Sequence, residues 1–541
     1  MERSAHNINT INQQLARLIN VLIFCNWFHA AKLQKTHETN GLLIKNNIIV
    51  AQKIRKDEKY SINLYRPLQL KMTQEKIKII IHNAVFLVLS LVSMMVFQMC
   101  YKYHFFIQEQ NQIFVYSRQY IAEYFSQNSW LTCLAGDFLT QFFYYLYAGP
   151  AITAITILLI AITSYKCLDK IFDNRKISLI ITITIEIYLT FIVFDNLFNI
   201  NCLLSILIGV LSYYIYTKLF PKGGLLSAAI TIVIIYYIAG FAQLIFAALY
   251  TIKLLKDKRL KEFLIIPTIA LIIPIFGHRI FQTTYAKNLS YPGLHSPTLP
   301  DSYAEFSYAV ATEYYFKHFD KVEQLAMSQD TMTAQSGIYY NMIQAQKDLL
   351  PDKIKTQKIP ELGTLIHIDD KSPYEAIFLM NDFYYLIGDM AMSERAAIMA
   401  QVFSPNNRNI KMVKRLCEIN LVTGDTAIAM KYIRILEKTL LYKDWALRHN
   451  PYALDPKVEK EIIEKRKFLN RSQNIRINDN CREILVELLD SNPENTVALD
   501  YLLCTDLILG QLQTFKADYY KYCVQNNRQR LKPLYIEALQ K

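Results

Sequence analysis

The run Gly224–Ile252 constrains the fold of this chain more than any other stretch. Its 29 residues carry no charge, and lysines and arginines lie on both sides of it. A single membrane-spanning helix needs about 20 apolar residues, so the run is long for one pass and short for two. Tyr236, Tyr237 and Gly240 near its middle are typical of a turn at a membrane surface.

Two structures fit this run. A tight hairpin of two short helices returns the chain to the side from which it came, and the positive charge on both flanks favours this structure. One long tilted helix would instead carry everything after it to the opposite side of the membrane. We expect the hairpin.

The apolar residues are concentrated in one part of the chain. The 541 residues are 52% hydrophobic, and almost all of the long uncharged runs lie between Ile79 and Phe281. The sequence therefore predicts an all-α polytopic membrane protein. We expect a transmembrane helical domain over 72–284, a linker rich in Pro, Gly and Ser over 285–300, and a soluble domain over 301–541.

Residues 1–71 differ from both domains. They contain the apolar run Leu18–Ala31, which is too short to span a membrane comfortably, together with many basic residues. Met72 opens a short basic segment that leads directly into the first apolar helix. We interpret 1–71 as an N-terminal extension that is either disordered or the product of a misassigned start.

The net charge of +13 lies beside the apolar runs. Residues 1–78 contain 13 Lys/Arg against 5 Asp/Glu, and residues 79–300 contain 15 against 9, whereas 301–541 are close to neutral. Basic loops next to membrane helices set their orientation and contact anionic lipid. A nucleic-acid-binding protein would have a basic stripe on its soluble face, so we expect the lipid bilayer and no nucleic acid among the partners.

The apolar runs predict about seven membrane segments. If the loops rich in Lys and Arg face the cytoplasm of a bacterium, the protein lies in the inner membrane and its C-terminal domain lies in the periplasm. The aromatic-rich loop between Cys100 and Asp137 is expected in the outer headgroup layer. Pro267 and Pro274 leave backbone carbonyls that neighbouring helices must satisfy. The predicted segments are Ile79–Met99, Phe138–Ile162, Ile177–Phe194, Ile200–Tyr216, the two arms of the hairpin, and Phe263–Phe281.

The soluble domain has the periodicity of helix pairs. From Asp301 onward, amphipathic helical patterns alternate with short polar turns. Gly388-Asp389 and Gly424-Asp425 are 36 residues apart, which is close to the 34-residue period of tetratricopeptide repeats. This pattern predicts an α-helical solenoid similar to that family over about 385–440 and 485–525, with degenerate repeats.

The order of these parts resembles a family of uncharacterised bacterial multi-pass membrane proteins with tetratricopeptide-like C-terminal regions. The resemblance rests on Glu109–Phe114, on Phe138–Phe143, and on the segments KRLCEINLVTGD and KYIRILEKTLLYKDWA. It covers roughly residues 80–541. The family implies the architecture and no residue-level function.

Glu186 and Gln243 are the polar residues singled out inside the membrane. A carboxylate in mid-membrane is costly unless it is protonated, paired or hydrated. Glu186 is therefore either a proton or cation site, or a protonated group that bonds to its neighbours and helps the helices to pack. Gln243 is expected to have the second role.

Charged residues also gather at the expected outer face. Asp195, His278 and Arg279 form a predicted outer-face cluster, and Glu109 and Asp137 are the candidate catalytic residues near it. Multi-pass glycosyltransferases that use lipid-linked sugars have a comparable layout, in which a carboxylate acts as general base on an acceptor hydroxyl. Such an enzyme is one alternative for the function of this chain.

The absence of known motifs limits the functions that the sequence supports. No nucleotide-binding or zinc-protease motif occurs, and the nine cysteines are scattered singly, so no cofactor or metal is expected. The favoured hypothesis is a membrane protein whose periplasmic repeats bind a partner protein in interaction or envelope assembly. The alternatives are the glycosyltransferase-like enzyme and a transporter, which would usually show matching half-repeats.

Overall fold

The computed structural model describes residues 74–221, 223–328, 333–354, 374–471, 480–528 and 530–541. Every regular element in these ranges is a helix, which confirms the all-α prediction. The chain divides into two compact units, Met1–Ile77 and Lys78–Lys541, and only residues 74–77 of the first unit are described. The predictions on the 1–71 extension and on a start at Met72 lie outside the described residues.

Apolar helices dominate the part of the chain before residue 291. A 3₁₀ turn over Gln141–Tyr144 separates the helix that ends at Thr140 from the one that begins at Ala148. The helices of this part, which we call the bundle, are α1 Gln74–Cys100, α2 Lys102–Gln110, α3 Arg118–Tyr124, α4 Trp130–Thr140, α5 Ala148–Phe172, α6 Arg175–Ile192, α7 Ile200–Leu219, α8 Leu225–Ala239, α9 Ala242–Lys256, α10 Leu260–Phe281 and α11 Tyr285–Ser290.

Four of these helices are long and apolar enough to cross a membrane, by length and composition. They are α1 over Ile80–Cys100, α5, α7, and α10 over Glu262–Phe281. Membrane association is therefore supported, but the prediction of about seven segments is corrected to four candidate spans within the described residues.

Helix length and charge explain the difference. The hairpin arms α8 and α9 have 15 residues each, or about 22 Å at 1.5 Å per residue, which is short of the ~30 Å hydrocarbon core. Helix α6 has 18 residues but includes Arg175, Lys176 and Glu186. The predicted second segment, Phe138–Ile162, is interrupted because the 3₁₀ turn ends α4 before α5 begins.

The hairpin prediction is confirmed. Gly240 separates α8 from α9 with φ +58° and ψ −119°, a conformation that side chains with a Cβ rarely adopt. The two open ends of the hairpin meet, because Arg259 after α9 donates a hydrogen bond of 3.2 Å to the Gly223 carbonyl before α8. The hydroxyls of Tyr216 and Ser227, at the end of α7 and the start of α8, also lie 2.8 Å apart.

The basic loops share one end of the bundle. Lys256, the last residue of α9, forms an ion pair with Asp173 in the loop after α5, and it also donates to the Lys170 carbonyl at 3.2 Å. The turn at Gly240 lies at the other end, where the Phe241 amide donates to the Tyr291 carbonyl at 3.0 Å. The bundle therefore has a basic end and a turn end.

At Pro274, one of the two prolines in α10, a neighbouring helix satisfies the freed carbonyl as predicted. Pro274 lacks the N–H that would bond to the Ala270 carbonyl four residues earlier. Gln243 of α9 donates to that carbonyl at 3.0 Å, and its side chain is 1% exposed. The amide therefore joins α9 to α10, which is the packing role expected of Gln243.

The segment predicted as a linker lies along the turn end. It begins with α11, and the Tyr291 hydroxyl after this helix donates to Gln127 at 3.2 Å. Farther on, the Thr298 amide donates to the Phe191 carbonyl at 3.2 Å. These bonds tie the segment to the bundle at both of its ends.

The remaining helices lie in the same compact unit, Lys78–Lys541, and we call them the C-terminal domain. One apolar core joins α12–α17 with α22–α25, and a second core forms among α18–α21. The helices are α12 Ser302–Tyr315, α13 Phe319–Ser328, α14 Ala334–Gln346, α15 Leu350–Lys353, α16 Tyr374–Ile387, α17 Met390–Phe403, α18 Ile410–Thr423, α19 Thr426–Leu436, α20 Lys443–Arg448, α21 Pro456–Arg466, α22 Cys481–Ser491, α23 Thr496–Ile508, α24 Leu512–Tyr519 and α25 Pro533–Gln540.

The two Gly-Asp pairs form equivalent turns. Gly388 follows α16 and Gly424 follows α18, each with φ +92°. The next residue caps the following helix, since Asp389 accepts from the Met392 amide and Asp425 accepts from the Ile428 amide. The glycines therefore mark turns between paired helices rather than places where helices cross.

Candidate functional site

A cavity of about 580 Å³ lies between helices of the C-terminal domain. Its size is within the range of typical ligand sites, about 300–1,000 Å³. Side chains from α12, α16, α18 and α21 form its walls, and the most informative of them are Tyr315, Asp382, Tyr385, Lys414, Arg415 and Lys465. Helices distant in the sequence thus bring cationic and aromatic groups to one place.

Asp382 is the carboxylate that pairs with two cationic side chains of this cavity. It is 3% exposed, and it bonds to Lys411 at 2.9 Å and to Arg415 at 2.8 Å. Burial alone would raise the pKa of Asp382, but the charges of Lys411 and Arg415 outweigh burial and lower it below its usual value. Arg415 also bonds to Glu418 at 3.0 Å.

Lys414 and Lys465 lack such partners. Within the described residues, no carboxylate lies at ion-pair distance from either ammonium group. Lys465 donates to the Leu386 carbonyl at 2.6 Å, and Lys414 lies 3.4 Å from the Tyr315 hydroxyl. Burial, reinforced by the charge of Arg415, lowers the pKa of Lys465 to about 7, and burial also lowers the pKa of Lys414.

A second feature is the junction between the C-terminal domain and the turn end of the bundle. The backbone takes part directly, since the Ile410 amide donates to the Gln112 carbonyl at 3.1 Å and the Tyr116 amide donates to the Lys438 carbonyl at 2.7 Å. Ile113 belongs to the core formed by α18–α21. The domain is therefore fixed to the loop that follows α2.

Glu109 lies inside this junction rather than in an open site. Its side chain is 3% exposed, and the Tyr442 hydroxyl donates to it at 3.0 Å. Burial raises the pKa of Glu109 to about 8, although hydrogen bonds from Tyr442 and Gln110 act in the opposite direction. As a candidate catalytic residue, Glu109 is covered by the C-terminal domain.

Asp137 ends a chain of hydroxyl groups. The Tyr124 hydroxyl donates to it at 2.6 Å, and the Tyr120 hydroxyl lies 2.8 Å from that of Tyr124. The Arg408 guanidinium of the C-terminal domain lies 4.5 Å from the Tyr120 ring centre. Burial raises the pKa of Asp137, and the hydrogen bond from Tyr124 partly offsets this.

The aromatic loop is internal in part, although Tyr116 and Phe125 are 43% and 47% exposed. Phe114, Tyr120 and Tyr124 are 7%, 7% and 3% exposed and form a small core with Cys133. These rings are internal because the C-terminal domain and α4 cover them. These three rings therefore contact other protein groups, and the position of the loop in the outer headgroup layer stays a prediction.

The predicted outer-face cluster is divided. Asp195 lies 3.6 Å from His295 and accepts from the Leu197 amide at 2.9 Å. His278 and Arg279 are exposed in the last turn of α10. In the described part of the chain, no hydrogen bond or ion pair joins either of them to Asp195.

Glu186 lies between α1 and α6. It is 1% exposed and accepts from the Ser90 hydroxyl at 2.7 Å. One turn away, the hydroxyls of Ser93 and Thr190 lie 2.8 Å apart. These bonds join neighbouring helices, as in the packing interpretation, but the other Glu186 carboxylate oxygen is buried with no hydrogen-bond partner among the described residues. Both interpretations of Glu186 therefore stay predictions.

Sequence reasoning missed the cavity although part of its pattern is visible. Lys411, Lys414, Arg415 and Glu418 follow a spacing of three, four and seven residues along α18, which places them on one helical face. The sequence does not reveal that α12, α16 and α21 close over this face.

The fold and the cavity define a class: an all-helical protein in which helices suited to crossing a membrane precede a helical domain with a cationic cavity. The chain belongs to DUF6057, a family of unknown function whose model matches residues 76–540. Among curated proteins and solved structures, none matches the chain. The predicted membership of an uncharacterised family is confirmed, whereas the tetratricopeptide-like character and the bacterial origin stay predictions.

Proposed function

We propose that this protein anchors a helical binding domain at the non-cytoplasmic face of a bacterial inner membrane, where the cavity binds a partner protein in interaction or envelope assembly. The observation that carries the proposal is the cavity of about 580 Å³, walled by α12, α16, α18 and α21. Stacked helix pairs leave a concave face that commonly binds peptides.

The ends of the bundle support the proposed sidedness. Lysine and arginine residues cluster at the end that contains Lys256 and Arg259, and such loops usually face the cytoplasm. The C-terminal domain contacts the loop after α2, and the turn that follows α3 contacts the turn end, where Tyr237 donates to the Phe125 carbonyl at 3.0 Å. The domain then lies on the side opposite the basic loops.

The alternatives have less support from the geometry. The enzyme hypothesis needs Glu109 or Asp137 to reach a substrate, but both carboxylates accept internal hydrogen bonds from tyrosines. The transporter hypothesis uses Glu186 as a proton or cation site, and this residue is bonded to Ser90. If the protein is an enzyme, Glu109→Gln or Asp137→Asn will abolish function and leave partner binding intact.

Site-specific photo-crosslinking in living cells tests the binding role. A photoreactive amino acid at Lys460, which is exposed at the cavity, should form an adduct with a discrete partner protein. The same amino acid at Tyr520, which is 57% exposed and lies outside the cavity, serves as the matched control. No adduct from position 460, or equal adducts from both positions, would contradict the proposed function.

A further inference from the structure

The charges that line the cavity are not balanced. Its walls contain six basic and four acidic side chains, and the acidic groups already have partners. Asp382 bonds to Lys411 and Arg415, Glu418 to Arg415, Glu461 to Lys317 at 2.9 Å, and Glu464 to Lys467 at 3.2 Å. The basic residues are Lys317, Lys411, Lys414, Arg415, Lys460 and Lys465, and the acidic ones are Asp382, Glu418, Glu461 and Glu464.

The cations left over inside the cavity are Lys414 and Lys465. An ammonium group has three donor hydrogens and no acceptor, and the bonds of Lys465 to the Leu386 carbonyl and of Lys414 to the Tyr315 hydroxyl use one each. Withdrawing a charge from water without a counter-charge at bonding distance is unfavourable, and for Lys414 the nearby charge of Glu418 offsets this only in part. A ligand that supplies negative charge would remove this penalty for both groups.

Aromatic rings surround the two lysines. The Lys465 ammonium lies 4.9 Å from the centre of the Tyr385 ring, and that of Lys414 lies 4.6 Å from the centre of the Tyr315 ring. Phe468 adds a further apolar wall. A ligand that fits this lining has apolar groups next to its negative charges.

We propose that the cavity binds an acidic segment of the partner protein, with Lys414 and Lys465 each receiving a carboxylate. This inference rests on the proposed function and specifies the chemistry of the partner. Lys414 is on α18 and Lys465 on α21, so the two charges are presented from different walls. An acidic segment supplies separate carboxylates with apolar side chains between them.

A phosphoryl ligand fits the same lining less well. Phosphate sites commonly use the two parallel donors of an arginine, and in this cavity Arg415 already bonds to Asp382 and Glu418. The free donors are single ammonium groups, which suit separate carboxylates. Competition experiments can distinguish the two ligands.

Direct binding to the full-length protein in lipid nanodiscs tests the inference. The probe is a short fluorescein-labelled peptide in which Glu and Leu alternate, measured by fluorescence anisotropy, and its Gln-Leu counterpart is the neutral control. The double variant Lys414→Met/Lys465→Met should bind the acidic probe at least tenfold more weakly than wild type. The charge-preserving Lys414→Arg/Lys465→Arg variant should retain binding, which separates a lost charge from a lost fold.

Lys457→Met is the matched control, because Lys457 is exposed on α21 and lies outside the cavity lining. This variant should bind as wild type does. Equal binding of the Glu and Gln peptides, or unchanged binding by the double methionine variant, would overturn the inference. Displacement of the probe by inorganic phosphate at concentrations where acetate has no effect would also overturn it in favour of a phosphoryl ligand.

The crosslink from position 460 distinguishes a failure of the acidic-segment inference from a failure of the proposed function. If the partner adduct forms in wild type and persists in the double methionine variant, the partner binds but its acidic segment is not the reason. If wild type forms no adduct, the proposed function itself fails. The inference requires an adduct in wild type that is lost with the two charges.

Discussion

The bundle and the C-terminal domain use buried polar groups in different ways. Between helices of the bundle, Ser93 and Thr190 join through neutral hydroxyls 2.8 Å apart. In the C-terminal domain, buried Asp382 joins Lys411 and Arg415 through full charges at 2.9 and 2.8 Å. Lipid offers no solvation to a charge that loses its partner, whereas a cavity open to solvent and ligand does.

Different groups determine specificity in the two regions. Polar bonds in the bundle fix which helix faces meet, as Gln243 does by bonding to the Ala270 carbonyl at 3.0 Å. Charges in the C-terminal domain also join helices, but they leave Lys414 and Lys465 without a carboxylate partner and therefore available for a ligand. The predictions below test this contrast.

The largest effect is expected at the turn of the hairpin. Gly240→Ala introduces a Cβ that would lie 2.0 Å from the Ser129 hydroxyl oxygen and 2.1 Å from the Tyr291 carbonyl oxygen, at a φ of +58°. We expect loss of the folded protein from detergent extracts, measured by size-exclusion chromatography. Gly337→Ala is the control, since nothing lies within 4 Å of its added Cβ, and it should leave the elution profile unchanged. A normal profile for Gly240→Ala would refute the role of this turn.

The next largest effect is expected at Asp382. Removing one member of a buried ion pair typically costs about 3–5 kcal/mol, because the opposite charge stays buried. Asp382→Asn should therefore lower the unfolding midpoint strongly in thermal denaturation. Glu461→Gln breaks an exposed pair with Lys317, which is worth about 0–1 kcal/mol, and serves as the control. Similar shifts in both variants would show that the buried ion pairs of Asp382 stabilise the fold no more than an exposed pair does.

A smaller, pH-dependent effect is expected at Glu109. Its pKa of about 8 in the folded protein exceeds its usual value of 4.5, so the folded state binds the extra proton between these values. Stability should then fall as the pH rises from about 4.5 to 8, and Glu109→Gln should remove this slope. Unfolding midpoints of wild type and variant across pH 5–9 measure it. If stability still falls with rising pH in Glu109→Gln, another group causes the pH dependence.

The smallest effect is expected at Gln243. Gln243→Leu leaves the Ala270 carbonyl without its donor, and hydrogen bonds between membrane helices are worth about 1 kcal/mol. Pro274→Ala restores an N–H four residues after Ala270. The loss on replacing Gln243 should therefore be smaller in the Pro274→Ala background, measured as a double-mutant cycle of unfolding midpoints. Equal losses in both backgrounds would show that the Gln243 amide does not compensate for the N–H that Pro274 lacks.

Local patterns predicted much of the fold. Charge on both flanks and Gly240 between two apolar arms were sufficient for the hairpin, because a turn depends on adjacent residues. The number of spans could not be obtained in this way. The hydropathy pattern indicates one continuous apolar run over 138–162. In the structure, however, α4 ends at Thr140 and α5 begins at Ala148.

The candidate site depended on distant contacts. Glu109 and Tyr442 are 333 positions apart in the chain, so no local pattern indicates that the C-terminal domain covers Glu109. The charged face of α18 was visible in the sequence, but its meaning depends on Lys465 from α21. Tertiary packing turns a solvated helix face into a cavity wall.

Impermeant maleimide labelling of single cysteines in intact cells determines on which side of the membrane the C-terminal domain lies. Tyr452→Cys reports on the C-terminal domain, where the native side chain is 78% exposed, and Asp257→Cys reports on the basic end of the bundle. Seven of the eight described cysteines are buried, and Cys25 and Cys100 can be replaced by serine. The account predicts labelling at 452 in intact cells and at 257 only after permeabilisation. The reverse pattern would place the domain in the cytoplasm and contradict the account.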